Sequence, residues 1–190
     1  IGGTTSHPTV CLWGAQDPES KNVYIYREYE SVSDINSYAL DIAYRQKNEY
    51  VPLVFADPSI FGTGIQKTAG EQSNEMIFVQ SGVNIIPAFR ERVNGWRLVK
   101  QWLSWGGKRM PKLYIFESCS RLVEMMPLFR YNTRSRVNLE DMDTEQSYDD
   151  YGDALRYLMA SAFGYPVIEA KAAYPESRFE SLLSPEEREE

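Results

Sequence analysis

Asp57 closes the run Val54-Phe55-Ala56-Asp57-Pro58. Asp149, Asp150 and Asp153 open the run Asp149-Asp150-Tyr151-Gly152-Asp153-Ala154-Leu155-Arg156-Tyr157. The first acid ends a strand-like apolar stretch, and the later ones stand at the start of a helix whose following residues are mostly apolar. Carboxylates that converge from two distant elements can hold divalent metal. Two such cations about 4 Å apart activate water and stabilise the leaving oxygen during phosphodiester hydrolysis. Hard Mg²⁺ or Mn²⁺ prefers carboxylate and water oxygens. Asp150 precedes Asp153 by three positions and shares its helical side, so its carboxylate either joins such a site or repels another acid until metal binds. Each signal also has a plain reading. Asp57-Pro58 is a common strand-to-turn junction, and acids in a first helical turn complement the helix dipole. His7 has no Cys or His partner and reads as an exposed residue before Pro8.

The elements that must position these acids follow from periodicity and turn chemistry. Thr9 to Ala15 and Val23 to Tyr29 read as two strands of a hairpin, joined by the turn-rich Asp17-Pro18-Glu19-Ser20-Lys21-Asn22. Ser33 caps a helix to about Gln46, with Ile35, Tyr38, Ala39, Ile42 and Ala43 at helical spacing. Val51 to Ala56 is a short strand that stops at Asp57 because the residue before a proline avoids the α region. Phe61 to Asn74 is a long loop. Glu75 to Val79 and Val83 to Ile86 read as short strands. Asn94 caps a helix to about Trp105, ended by Gly106-Gly107. Leu113 to Phe116 is a strand, and Ser118 or Ser120 starts a helix that Pro127 interrupts. A polar segment from Asn132 to Gln146 leads to the last helix, which starts at Asp149 or Asp150 and runs to about Phe163. Helix and strand alternate after the hairpin, which implies an α/β domain with a mixed sheet flanked by helices.

Composition narrows the function classes. The 190 residues are 43% hydrophobic and 25% charged, and no uninterrupted apolar stretch approaches the roughly 20 residues of a membrane span. No signal peptide is visible, and the absence of GxxxxGK[ST] gives no support to ATP binding by the Gly62-Thr63-Gly64 stretch. Cys11 and Cys119 are too few for a disulfide scaffold and read as buried thiols in a reducing compartment. The net charge of −7 argues against a uniformly basic nucleic-acid coat. Local basic sets are still present. Arg90, Arg92, Arg97, Lys100, Lys108 and Arg109 form one, which reads about equally as a DNA-phosphate contact set or an ordinary solvated face, while Trp96, Trp102 and Trp105 read as helix packing. Arg130, Arg134 and Arg136 form a second, beside the segment leading to Asp153, and are the candidate DNA-phosphate contacts.

These motifs, over residues 1–170, resemble the C-terminal nuclease domain of the terminase large subunit of tailed bacteriophages, a domain of the RNase H/retroviral-integrase-like fold. The anchors are Val54-Phe55-Ala56-Asp57-Pro58-Ser59 and Asp149 through Tyr157. The resemblance implies that Asp57 supplies the second catalytic acid and Asp153 the last, together holding two Mg²⁺ or Mn²⁺ ions. Many relatives carry His where this chain has Asp150, so Asp150 either replaces that histidine near the metal or caps the helix. The family's first acid lies on its first strand. Ile1-Gly2-Gly3 begins just where that acid has passed, which implies that it precedes Ile1; Asp17 and Asp34 do not match its position. The implied activity is endonucleolytic cleavage of concatemeric double-stranded DNA during genome packaging. The implied partners are DNA, an N-terminal ATPase domain, the portal and the small terminase subunit, with no membrane. The implied location is the bacterial host cytoplasm, at the procapsid. Residues 171–190 form a C-terminal extension with an acidic tail. Two alternatives stand beside this: a resolvase-like nuclease of the same general fold, and a non-catalytic DNA-binding or assembly domain.

Overall fold

A computed structural model of the chain describes residues 8–61, 73–106, 110–130 and 149–164. The hairpin forms as its patterning requires. Strand β1 (Thr9–Gln16) pairs antiparallel with β2 (Val23–Ser31), and a bulge between Trp13 and Gly14 shifts the register. Asp17 organises the connecting turn: one carboxylate oxygen accepts from the Glu19 amide and the other from the Ser20 hydroxyl. Those bonds pull its pKa below the ordinary carboxylate value. This acid serves the geometry of the turn.

Helix α1 (Ile35–Gln46) buries Tyr38, Ala39 and Ile42 at the expected 3.6-residue spacing. Its cap is Asp34, one residue beyond Ser33. The Asp34 carboxylate accepts from the Asn36 and Ser37 amides, satisfying donors that the helix start leaves open. Strand β3 (Val54–Ala56) ends at Asp57, and Pro58–Phe61 makes a 3₁₀ turn. The next segment departs from the sequence reading: residues 74–80 are helical, not a strand. Ser73 accepts from the Met76 amide, and Glu75 sits in the first turn, so α2 (Asn74–Gln80) has a helix start that a local apolar run does not reveal. Strand β4 (Ile85–Pro87) follows and pairs parallel with β3.

Helix α3 (Arg92–Leu103) has Glu91 at its N-cap, with no side-chain capping bond, three residues before the expected cap Asn94, which lies inside the helix. It ends at Ser104, before Gly106. Trp96 is buried and meets the Phe129 ring edge-on, and Trp102 lies near Phe163, whereas Trp105 is 82% exposed. Strand β5 (Leu113–Ile115) joins β2 in parallel. Helix α4 (Ser120–Met125) starts after Cys119, and both oxygens of Glu28 accept its first amides, those of Arg121 and Leu122, at 2.9 Å each. Met126–Leu128 turns as 3₁₀ helix around Pro127.

Helix α5 (Asp149–Leu158) continues into a π-helical segment, Met159–Gly164. Its buried face carries Tyr151, Leu155 and Met159, one every four positions. Full burial of a side chain such as Leu155 contributes about 1.5–3 kcal/mol. The result is a mixed α/β architecture with two small sheets, β1-β2-β5 and β3-β4, and flanking helices. One core gathers β2, β5, α3, α4 and α5; the other gathers β1, β2, β4, α1 and α2. Helix α5 packs on both β1 and β3 and so bridges the two sheets. Cys119 is buried and Cys11 half-buried, and both are free thiols. No helix among the described residues is long and apolar enough to cross a membrane.

Candidate functional site

Asp57, Asp150 and Asp153 line one cavity of about 510 Å³. Asp57 enters from the end of β3. Asp150 and Asp153 enter from the first turns of α5, three positions apart and on one helical side, as their spacing requires. Two elements almost a hundred residues apart in sequence therefore present acids to one space.

Each acid has protein partners. Asp57 is half-buried; Oδ1 accepts from the Ser59 amide at 2.7 Å and Oδ2 from the Tyr157 hydroxyl at 2.9 Å. Burial works to raise its pKa, but the bonds from Ser59 and Tyr157 outweigh it, and the group ends below its ordinary value. The same contact, together with burial, raises the Tyr157 phenol. Tyr157 follows Asp153 by four positions, so α5 carries both an acid of the site and the donor that steadies the other acid.

Asp153 is held by two arginines. Arg156 donates to its Oδ1 from Nε at 3.2 Å and Nη2 at 3.0 Å. Arg92, from α3, places Nη1 at 3.4 Å from both Asp153 oxygens. Arg156 is 1% exposed, the one buried charged side chain among the described residues. Its guanidinium also donates to the Arg90 carbonyl and stacks over the Tyr157 ring at 4.2 Å. Its stem packs against Gly95, where a Cβ would fall 2.6 Å from Arg156 Cγ. The close approach of α3 to α5 depends on that missing methyl.

Helix α5 is tied at both ends. Tyr151 donates to Glu30 Oε2 at 2.9 Å, and burial followed by this carboxylate raises its pKa. At the far end the Ser161 hydroxyl accepts from the Phe89 amide at 2.9 Å. The acids are thereby carried on a helix fixed to β2, β3 and the strand end after β4.

The sequence reading selected Asp57, Asp150 and Asp153, and the structure brings them to one cavity wall. It did not select Arg156 or Tyr157, and it placed Arg92 in a basic set without linking it to the acids. Arg156 and Tyr157 follow Asp153 by three and four positions, a spacing at which helical side chains meet, and that was the available signal. Nothing local linked Arg92 to Asp153, 61 positions later. Arg130 is exposed and lines a different cavity, of about 340 Å³, with Lys100, Trp96 and Phe129. Arg134 and Arg136 lie outside the described residues, as do Lys108, Arg109 and the segment 171–190.

Three carboxylates suit a hard divalent cation in ligand type. They fall short in grouping, because among the described residues no three His, Cys, Asp or Glu side chains come together closely enough to hold an ion. A cation at Asp153 would compete with the two arginines. Comparison with protein-family models, with curated proteins and with solved structures finds no match to this chain.

Proposed function

We propose that this chain is a metal-dependent DNA endonuclease of the RNase H-like kind, acting as the nuclease domain of a phage large terminase on concatemeric double-stranded DNA. The observation that carries this reading is the convergence of Asp57 and Asp153 on one cavity from a strand end and a helix start. When bound, one or two Mg²⁺ or Mn²⁺ ions supply an activated water and charge neutralisation at the phosphate. The chain's own residues do the rest. Asp57 and Asp153 offer oxygen ligands, Asp150 adds negative charge beside them, and Tyr157 fixes the Asp57 carboxylate in one orientation. Arg130, Arg134 and Arg136 contact backbone phosphates and position the duplex without reading its bases. The packaging role brings an N-terminal ATPase domain, portal and small terminase subunit as partners, in the host cytoplasm at the procapsid.

One observation favours a second reading, a non-catalytic DNA-binding or assembly domain. Asp153 is already neutralised by Arg92 and Arg156, and a buried arginine–aspartate pair is a structural device in its own right. Mn²⁺ titration of the wild type and of Asp57→Asn, combined with plasmid nicking, separates the readings. The nuclease reading expects Mn²⁺ binding that weakens by more than about tenfold in the variant, with any Mg²⁺-dependent nicking lost as well. Equal Mn²⁺ affinity in both proteins overturns it and leaves the assembly reading.

A further inference from the structure

The second cavity, of about 340 Å³, stands apart from the acids and shares no lining residue with the cavity that holds them. One wall is α3. Trp96, Val99, Lys100 and Leu103 fall at i, i+3, i+4 and i+7, so a single face of the helix turns toward the space. The other wall comes from the 3₁₀ turn around Pro127, through Met126, with Phe129 and Arg130 just after it.

The walls divide by chemistry. Val99, Leu103 and Met126 make one part aliphatic, and Trp96 and Phe129 add aromatic surface. Both charged residues of the lining are cations, Lys100 and Arg130, although the chain carries a net charge of −7. Both are exposed, so their apolar stems lie along the wall and their charges stand at the mouth. Trp96 is 8% exposed, and its indole N–H has no acceptor among the described residues. A buried donor of this kind marks a place where an acceptor belongs. The three polar groups adjoin one another. Lys100 follows Trp96 by one helical turn, and Arg130 follows Phe129, whose ring meets Trp96 edge-on with centroids 5.7 Å apart. An apolar cavity of this size with a few polar groups at one end has the general form of a small-molecule site.

We propose that this cavity binds an aliphatic carboxylate, a small molecule with an apolar chain and one acid group. The chain lies along Val99, Leu103 and Met126 and supplies most of the affinity by leaving water. The carboxylate meets Lys100 and Arg130 and accepts from the Trp96 indole N–H. A carboxylate matches the fork of an arginine and the point charge of a lysine. Ion pairs at an exposed mouth are screened, so they select the sign of the ligand's charge more than they add to its affinity. The site owes nothing to Asp57, Asp150 or Asp153 and is independent of the nuclease reading.

The probe is octanoate, titrated into the full chain by calorimetry and followed by NMR of the tryptophan indole N–H groups. The expected result is saturable binding. Hexanoate, shorter by two methylenes, should bind about tenfold more weakly, because the chain is buried. Octanol and octylammonium carry the same chain without the negative charge and should bind more weakly than octanoate. Lys100→Gln combined with Arg130→Gln changes two exposed positions. It should erase the preference for octanoate over octanol and leave octanol binding unchanged. At saturation the Trp96 indole resonance should move downfield as its N–H gains an acceptor. That of Trp13, which belongs to the other core, should stay in place. Absence of octanoate binding, equal affinity for octanol, an unaltered preference in the double variant or an unmoved Trp96 resonance each overturns the inference. Neither metal nor DNA enters the test, so failure here leaves the nuclease reading to its own experiment.

Discussion

The Tyr157 hydroxyl donates to Asp57 Oδ2 at 2.9 Å, joining a helix to a strand end 100 positions earlier in the chain. This bond sets the orientation of one acid of the site from the element that carries another. Tyr157→Phe removes the donor and keeps the ring. The Asp57 pKa should rise toward the ordinary carboxylate value, read by carboxyl-carbon NMR titration. A hydrogen bond to a charged group contributes about 1.5–3 kcal/mol, and solvent screening at half-buried Asp57 brings the expected loss to about 1 kcal/mol. An unmoved Asp57 titration would show that Ser59 and burial alone set its state.

Acid sensitivity follows from the direction of two shifts. Hydrogen bonds from Ser37 and Asn36 hold the Asp34 cap down to about 2, and Asp57 is also held below its ordinary value. Groups with depressed folded-state pKa values stabilise the fold above their unfolded values, near 3.9 for Asp, and lose that contribution as pH falls through the folded value. Stability should therefore decline between about pH 4 and pH 2. Asp34→Ala should lower the melting temperature at pH 7 and flatten this acid limb. A limb of unchanged steepness in that variant would assign the acid loss elsewhere.

Asp153 and Asp57 should differ when substituted. Asp57→Asn removes a half-buried charge and should leave the fold intact. Asp153→Ala leaves the guanidinium of Arg156 buried without its carboxylate, a defect of about 3–5 kcal/mol. Replacing both partners, as Asp153→Ala with Arg156→Met, removes the stranded charge and should recover part of that loss. Urea denaturation of the single and double variants measures the coupling. Simple additivity of the two losses would mean that the pair carries no mutual stabilisation.

Gly95→Ala tests the seat of Arg156. Alanine is the better helix former by about 1 kcal/mol. Its methyl, however, would lie 2.6 Å from the buried Cγ of Arg156, and Gly95 is itself buried in α3. Overpacking of this kind costs about 1–3 kcal/mol, so the variant should be destabilised despite its helix propensity. A gain in thermal stability would show that α3 and α5 part readily.

Arg92 should compete with a cation. Its Nη1 lies equally far from both Asp153 oxygens, and Arg156 remains to balance the carboxylate when Arg92 is changed. Arg92→Gln should tighten Mn²⁺ binding severalfold in calorimetric titration. Unchanged or weaker binding would place Arg92 outside the ion's surroundings.

Local chemistry determined much of this protein. The hairpin, α1, β3, β5 and α5 follow from alternation, helical spacing and turn residues that act over a few positions, and the same rules placed Asp57 at a strand end and Asp149 at a helix start. Helix α2 escaped because Met76 through Val79 is a continuous apolar run, in which helix and strand periods are indistinguishable; the Ser73 cap decided it. Tertiary structure alone chose partners. Arg92 meets Asp153 across 61 positions and Tyr157 meets Asp57 across 100, because α3 and β3 are brought against α5 by packing, which no short window encodes. Gly95 likewise reads as a weak point in a helix until Arg156 is seen to fill its place. The placing of β1 and β3 in different sheets is the clearest case. Each strand is legible from its own residues, but which strands pair depends on how the helices packed on them bring them together.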